Sequence, residues 1–81
     1  MVTLRFFAAA RSAAGTDQVT IAATEPLSIA GALQRSRSDS PDYDVTMARC
    51  SFLVNGVATT DRAHLLAGDD VVDVLPPFAG G

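Results

Sequence analysis

The stretch Val71-Val72-Asp73-Val74-Leu75-Pro76-Pro77 decides the fold. Its apolar, β-branched run reads as a strand. Two prolines stop it, since neither can donate a backbone N–H to a further ladder. Val72 and Val74 face one way as a core pair, and Val71 and Leu75 face the other. Ala67-Gly68-Asp69-Asp70 just before it is a turn. At the other end of the chain, Val2 to Ala8 alternates in the same manner. Val2, Leu4 and Phe6 line one face, and Thr3, Arg5 and Phe7 line the opposite one. Phe7 therefore lands on the outer face, where an exposed aromatic asks for an explanation.

The segments between these two strands complete one layer and add a second. Ala9 to Ala14 is an Ala-rich helical turn ended by Gly15. Asp17 to Ala22 is a second strand with Val19 and Ile21 inward, close enough in sequence to pair antiparallel with the first. Ser28 is an N-cap for a helix carrying Ile29, Ala32 and Leu33. Gly31 weakens that helix by about 1 kcal/mol relative to Ala, and the helix is expected to end near Ser38. Asp39 to Asp44, with Pro41 and three Asp, reads as a solvated loop anchored on its far side by Val45 and Met47. Cys50 to Asn55 is the third long strand. Asn55-Gly56 is a hairpin signal, with Val57 to Thr59 as the return strand. With the last strand placed centrally beside the first, the expected fold is α+β: a ubiquitin-like β-grasp, its mixed sheet covered on one face by one main helix. Residues 1–77 form the domain and residues 78–81 a flexible tail ending in Gly-Gly.

Composition excludes several classes of function. Eighty-one residues make one small domain, which buries roughly 60–65% of its chain surface and leaves no room for a deep pocket. The net charge is −3, and all six basic residues are Arg. An acidic chain without a basic cluster is no nucleic-acid binder. Arg5 and Arg11 interrupt the apolar N-terminus, so neither a signal peptide nor a membrane span is expected, and a cytoplasmic location is. Cys50 is the one cysteine and His64 the one histidine, which precludes an internal disulfide and a zinc site.

No side-chain constellation for catalysis stands out. His64 reads as a surface residue without a nucleophile, Cys50 as a small buried hydrophobe, and Asp69 and Asp70 as a turn and its cap. Arg35 and Arg37, at a helix end, offer a phosphate-binding pair at most. The tail is different. Phe78-Ala79-Gly80-Gly81 follows a strand and a proline brake. Two glycines make a thread without side chains that enters a narrow channel and takes any backbone conformation. A carboxylate on such a thread suits processing inside another protein's active site.

Leu4-Arg5-Phe6-Phe7-Ala8 with Arg11 and Gly15, and Gly68-Asp69-Asp70-Val71-Val72 through Pro76-Pro77-Phe78-Ala79-Gly80-Gly81, resemble the small subunit of molybdopterin synthase, a branch of the ubiquitin-like sulfur carriers. The resemblance implies a specific chemistry. An ATP-dependent adenylyltransferase of the ubiquitin-activating type would adenylate the Gly81 carboxylate. A sulfur-donor protein would then convert it to a thiocarboxylate. Gly80 would thread into the large synthase subunit, where sulfur passes to cyclic pyranopterin monophosphate to build molybdopterin. The chain itself would bind no cofactor, ATP being the activating enzyme's, and would contribute no catalytic side chain. The family's apolar partner contact, carried over by position, falls on Phe7, Leu75 and Phe78, with Arg11 as a polar addition. Competing readings are a carrier for thiazole or cysteine synthesis, a protein modifier joined to target lysines through Gly81, and a plain interaction domain.

Overall fold

The computed structural model describes residues 1–77. Ten elements follow in order: β1 (Val2–Phe6), α1 (Ala8–Ala14), β2 (Gln18–Ile21), β3 (Leu27–Ser28), α2 (Ile29–Arg35), α3 (Tyr43–Ala48), β4 (Ser51–Val54), β5 (Val57–Thr59), β6 (Leu65–Leu66) and β7 (Val71–Leu75). The main sheet has the order β2-β1-β7-β4-β5. The last strand is central and runs parallel to the first, with Leu4 opposite Val72 and Phe6 opposite Val74. β2 and β4 flank this pair antiparallel. This is the β-grasp arrangement expected from the element order.

Alternation fixes which face is buried. Val2, Leu4, Phe6, Phe52, Val72 and Val74 point inward and meet Ile29, Ala32 and Leu33 of α2 in one core. Ser28 caps α2 as expected, its hydroxyl accepting the Gly31 N–H at 3.0 Å. Gly15, at φ 77°, closes α1 and donates its N–H to the Arg11 carbonyl. The β4–β5 hairpin turns through Asn55 (φ 49°) and Gly56 (φ 85°), the doubly positive pair that a type I′ turn requires.

Three expectations needed correction. α2 ends at Arg35, not near Ser38. The Ser36 hydroxyl turns back to the Ala32 carbonyl at 3.0 Å and so occupies an acceptor at the helix end. The segment expected as a loop to Asp44 contains the start of α3. Within it, Val45 is not an anchor: it is 58% exposed, whereas Tyr43 and Met47, four residues apart, are buried. The Tyr43 hydroxyl enters the core by donating to the Leu33 carbonyl at 2.7 Å. Leu65–Leu66, just before the Ala67–Asp70 turn, pairs antiparallel with Leu27–Ser28 as a two-stranded ladder.

Candidate functional site

The outer face of the β1–β7 pair is where the sequence placed an unexplained aromatic, and the structure keeps it there. Phe7 is 37% exposed. Its backbone continues β1 in extended conformation (φ −119°, ψ 149°), and its N–H donates to the Val74 carbonyl at 3.2 Å. One step beyond the Phe6–Val74 register, this sets Phe7 beside Leu75. Ala8 then takes φ 49°, a left-handed conformation unfavourable for a residue with a Cβ. That sharp turn starts α1 and leaves the Phe7 ring outside it. Leu75 is half-buried, Pro76 is buried and Pro77 is exposed, so the described chain leaves the sheet from a packed root.

Two charged residues that sequence reasoning left unassigned occupy the same face. Arg5 and Asp73 are register partners on the parallel strands. The guanidinium donates from Nε to Asp73 Oδ1 at 2.7 Å and from Nη2 to Oδ2 at 3.2 Å. It also lies 5.6 Å from the Phe7 ring centroid, within cation–π range. Asp73 is only 18% exposed, so the fork holds a partly desolvated carboxylate and steadies Phe7 from the side. The signal was available as opposite charges at matching strand positions, but it required knowing that these strands are parallel neighbours.

Arg11 is exposed and sits 3.7 Å from Asp17. It lines, with Arg5, Phe6, Phe7, Asp17 and Gln18, an open groove of about 370 Å³. The structure thus brings Phe7 and Arg11 together at one groove and sets Leu75 on the adjacent strand. Phe78, Gly80 and Gly81 lie outside the described residues.

The remaining candidates have structural duties. Cys50 is buried, its thiol donating to the Thr46 carbonyl at 3.2 Å, and burial pushes that thiol's pKa up, away from thiolate chemistry. His64 is exposed and serves through its backbone, its carbonyl accepting the Ile29 N–H at 3.0 Å. Asp70 accepts the Ala67 N–H and the Asn55 amide, which hold its carboxyl below the usual range. The Arg35–Arg37 phosphate pair does not form. Arg37 grips Asp44 through two bonds of 3.1 and 2.7 Å, and Arg35 reaches the Ala22 carbonyl. Among the described residues no cluster of His, Cys, Asp or Glu is arranged to hold a metal ion, and no helix is long and apolar enough to cross a membrane.

A five-stranded mixed sheet with parallel outer-terminal strands at its centre, grasping one main helix, defines a ubiquitin-like β-grasp protein. The model of the ThiS family matches residues 4–81, and the chain belongs to that family of ubiquitin-like sulfur carriers. SAMP1 from Haloferax volcanii superposes with a TM-score of 0.78 at 20% identity, covering 99% of this chain and 98% of that one. A Pyrococcus furiosus protein assigned as molybdopterin converting factor, subunit 1, gives 0.75 at 24% identity over 94% and 95% of the two chains. A second structure of the H. volcanii small archaeal modifier protein 1 gives 0.76 at 19%, again over 94% and 95%. At such identities these likenesses concern the fold alone. No curated protein matches the chain in sequence.

Proposed function

We propose that this chain is the sulfur-donating small subunit of a molybdopterin synthase. The family match running through Gly81 carries the sulfur-carrier part of the reading, and the likeness of the Leu4–Ala8 and Pro76–Gly81 blocks to the synthase small subunit favours the molybdopterin branch. The reading is supported by an outer sheet face that sets Phe7 and Leu75 beside the root of the terminal segment. A carboxylate is a poor electrophile. Transfer of AMP from ATP to the Gly81 carboxylate, with release of pyrophosphate, gives an acyl-adenylate. Hydrosulfide delivered by a donor protein displaces AMP: a C–S bond forms at the Gly81 carbonyl as its C–O bond to AMP breaks, which leaves the thiocarboxylate. Tethering that sulfur to a protein bound at the large subunit raises its effective concentration at the pterin precursor. The large subunit supplies the acid–base groups, and this chain supplies presentation.

The test is intact-mass measurement after incubation with ATP, the adenylylating enzyme and a sulfur source. The expected result is a mass gain equal to exchange of one oxygen for sulfur. Deleting Gly81 abolishes it and leaves the melting temperature unchanged, since that residue follows the last strand and its proline brake. Sulfur incorporation that persists in the truncated chain overturns the reading. A second variant probes threading: Gly80→Val adds a β-branched side chain and restricts φ, so turnover with the large subunit collapses while the domain stays folded. Normal turnover in Gly80→Val means that the segment never enters a narrow channel. The similarity to SAMP1 favours a second reading, a modifier joined to lysines of other proteins. Under that reading, activation yields isopeptide-linked conjugates and no molybdopterin.

A further inference from the structure

The helix-side flank of the terminal root carries a second surface that the sheet-face contact does not use. Ala9, Val45, Thr46, Arg49, Pro76 and Pro77 enclose a groove of about 200 Å³. Val45 lies in α3 and Arg49 caps its C-terminus; four residues apart, they border the same groove. Val45, 58% exposed, also borders a neighbouring groove that contains Asp42. It is an apolar ridge with a cation on one side and a carboxylate on the other. The arginines make Arg49 conspicuous. Arg5, Arg11 and Arg37 are ion-paired, and Arg35 and Arg62 donate to backbone carbonyls. Among the described residues Arg49 alone has no acceptor for its guanidinium, and it stands beside Pro76 and Pro77.

We infer that this groove receives an acidic segment of the enzyme that activates the terminus: an apolar side chain against Val45 and Ala9, with a carboxylate on Arg49. The inference rests on the sulfur-carrier reading, because it identifies the partner as the adenylylating enzyme. The charge pattern selects the partner's chemistry. Arg49 attracts a carboxylate, and Asp42 repels one from the other side of the ridge, which fixes the direction in which the segment lies. Location supplies the rest: a protein that closes on the chain beyond Pro77 covers a groove walled by Pro76 and Pro77. The root is then gripped on two sides, by the Phe7 face of the sheet and by the α3 ridge.

The experiment measures Kd between the adenylylating enzyme of the same genome and four full-length chains: wild type, Arg49→Gln, Val45→Thr and Phe7→Ala. Melting temperatures verify folding, which neither exposed side chain, Val45 or Arg49, supports. At low salt Arg49→Gln is expected to raise Kd about fivefold, the effect of a partly screened ion pair. That difference is expected to vanish at about 0.5 M salt, where the Debye length is only a few ångströms. Val45→Thr is expected to raise Kd about threefold at both salt concentrations, since removing apolar contact is not screened. Unchanged Kd for Arg49→Gln and Val45→Thr, with a weakened Phe7→Ala, overturns the second grip and leaves the sulfur-carrier reading standing. Tighter binding by Arg49→Gln also overturns it, because the partner would then meet Arg49 with like charge or bury it without a carboxylate. An enzyme that binds none of the four chains removes both.

Discussion

Tyr43 shows how one side chain replaces missing apolar surface in a thin core. α2 is only seven residues long, and Ser36 stands where its apolar stripe would continue. Tyr43 fills that gap from α3, 2% exposed, and brings a polar atom that must be satisfied. The Leu33 carbonyl accepts its hydroxyl, and the Ser36 hydroxyl lies 3.2 Å away. Tyr43→Phe is expected to cost about 1 kcal/mol near neutral pH, the net worth of a buried hydrogen bond. Burial also pushes the hydroxyl's pKa up. Above pH ~10 the unfolded chain ionises its tyrosine while the folded one resists. The unfolded state then binds fewer protons, and wild-type stability falls as pH rises. Tyr43→Phe lacks that slope, so denaturant unfolding at pH 7 and pH 11 should show the gap between the two proteins narrowing.

Among the elements, the strands and the hairpin were legible because each carries its own local signal. β7 and β5 have the boundaries expected for them, and Asn55-Gly56 turns as that pair does elsewhere. α3 was hidden because its inward stripe is two residues, Tyr43 and Met47, set among aspartates that read as solvated. The β3–β6 ladder was hidden because two-residue strands far apart in sequence have no periodicity to detect. Phe7 was recognisable on the outer face from alternation alone. The Arg49 groove was not, since α1, α3 and the β7 exit meet there only through tertiary packing. The joint between β4 and β7 has a comparable non-local part. Asn55 accepts the Val71 N–H at 2.9 Å and donates to Asp70 at 2.9 Å, while Asp70 also accepts the Ala67 N–H. Asp70→Ala is expected to cost about 1 kcal/mol at pH 7, as bonds to a charged acceptor in a partly exposed site. The folded carboxyl has its pKa depressed below the unfolded value of about 3.9. Its contribution is therefore complete above that value and is lost as pH falls through the lower folded one. Thermal melts of wild type and Asp70→Ala should draw together as pH falls below the unfolded value of about 3.9.

For the molecule as a whole, the two faces of one sheet differ in how completely they are packed, and the consequence of that difference can be measured. The inner face is fully committed: Leu4, Val72 and Val74 are each 0% exposed. The outer face is only partly covered, with Phe7 propped by the Arg5–Asp73 fork and Leu75 half-buried. Truncating a core side chain removes transfer energy and leaves a cavity, so Val72→Ala is expected to cost about 2–3 kcal/mol. In a domain of this size that lowers the melting temperature by roughly 10 °C or more. Phe7→Ala loses partial burial and a cation–π contact worth about 0.5 kcal/mol, and Leu75→Ala loses a half-buried chain, so each lowers folding stability by about 1 kcal/mol or less. Under the proposed function their larger effect belongs to the complex with a large synthase subunit, where burying an aromatic or leucine anchor is typically worth about 1–4 kcal/mol. Kd for the large synthase subunit and the unfolding midpoint should be measured on all three variants. Phe7→Ala and Leu75→Ala should weaken association at least tenfold, about 1.4 kcal/mol, with small midpoint shifts. Folded Val72→Ala should bind as wild type does. If Phe7→Ala and Leu75→Ala bind normally, the partner does not use this face, and the propped ring at the root of the terminal segment has some other purpose.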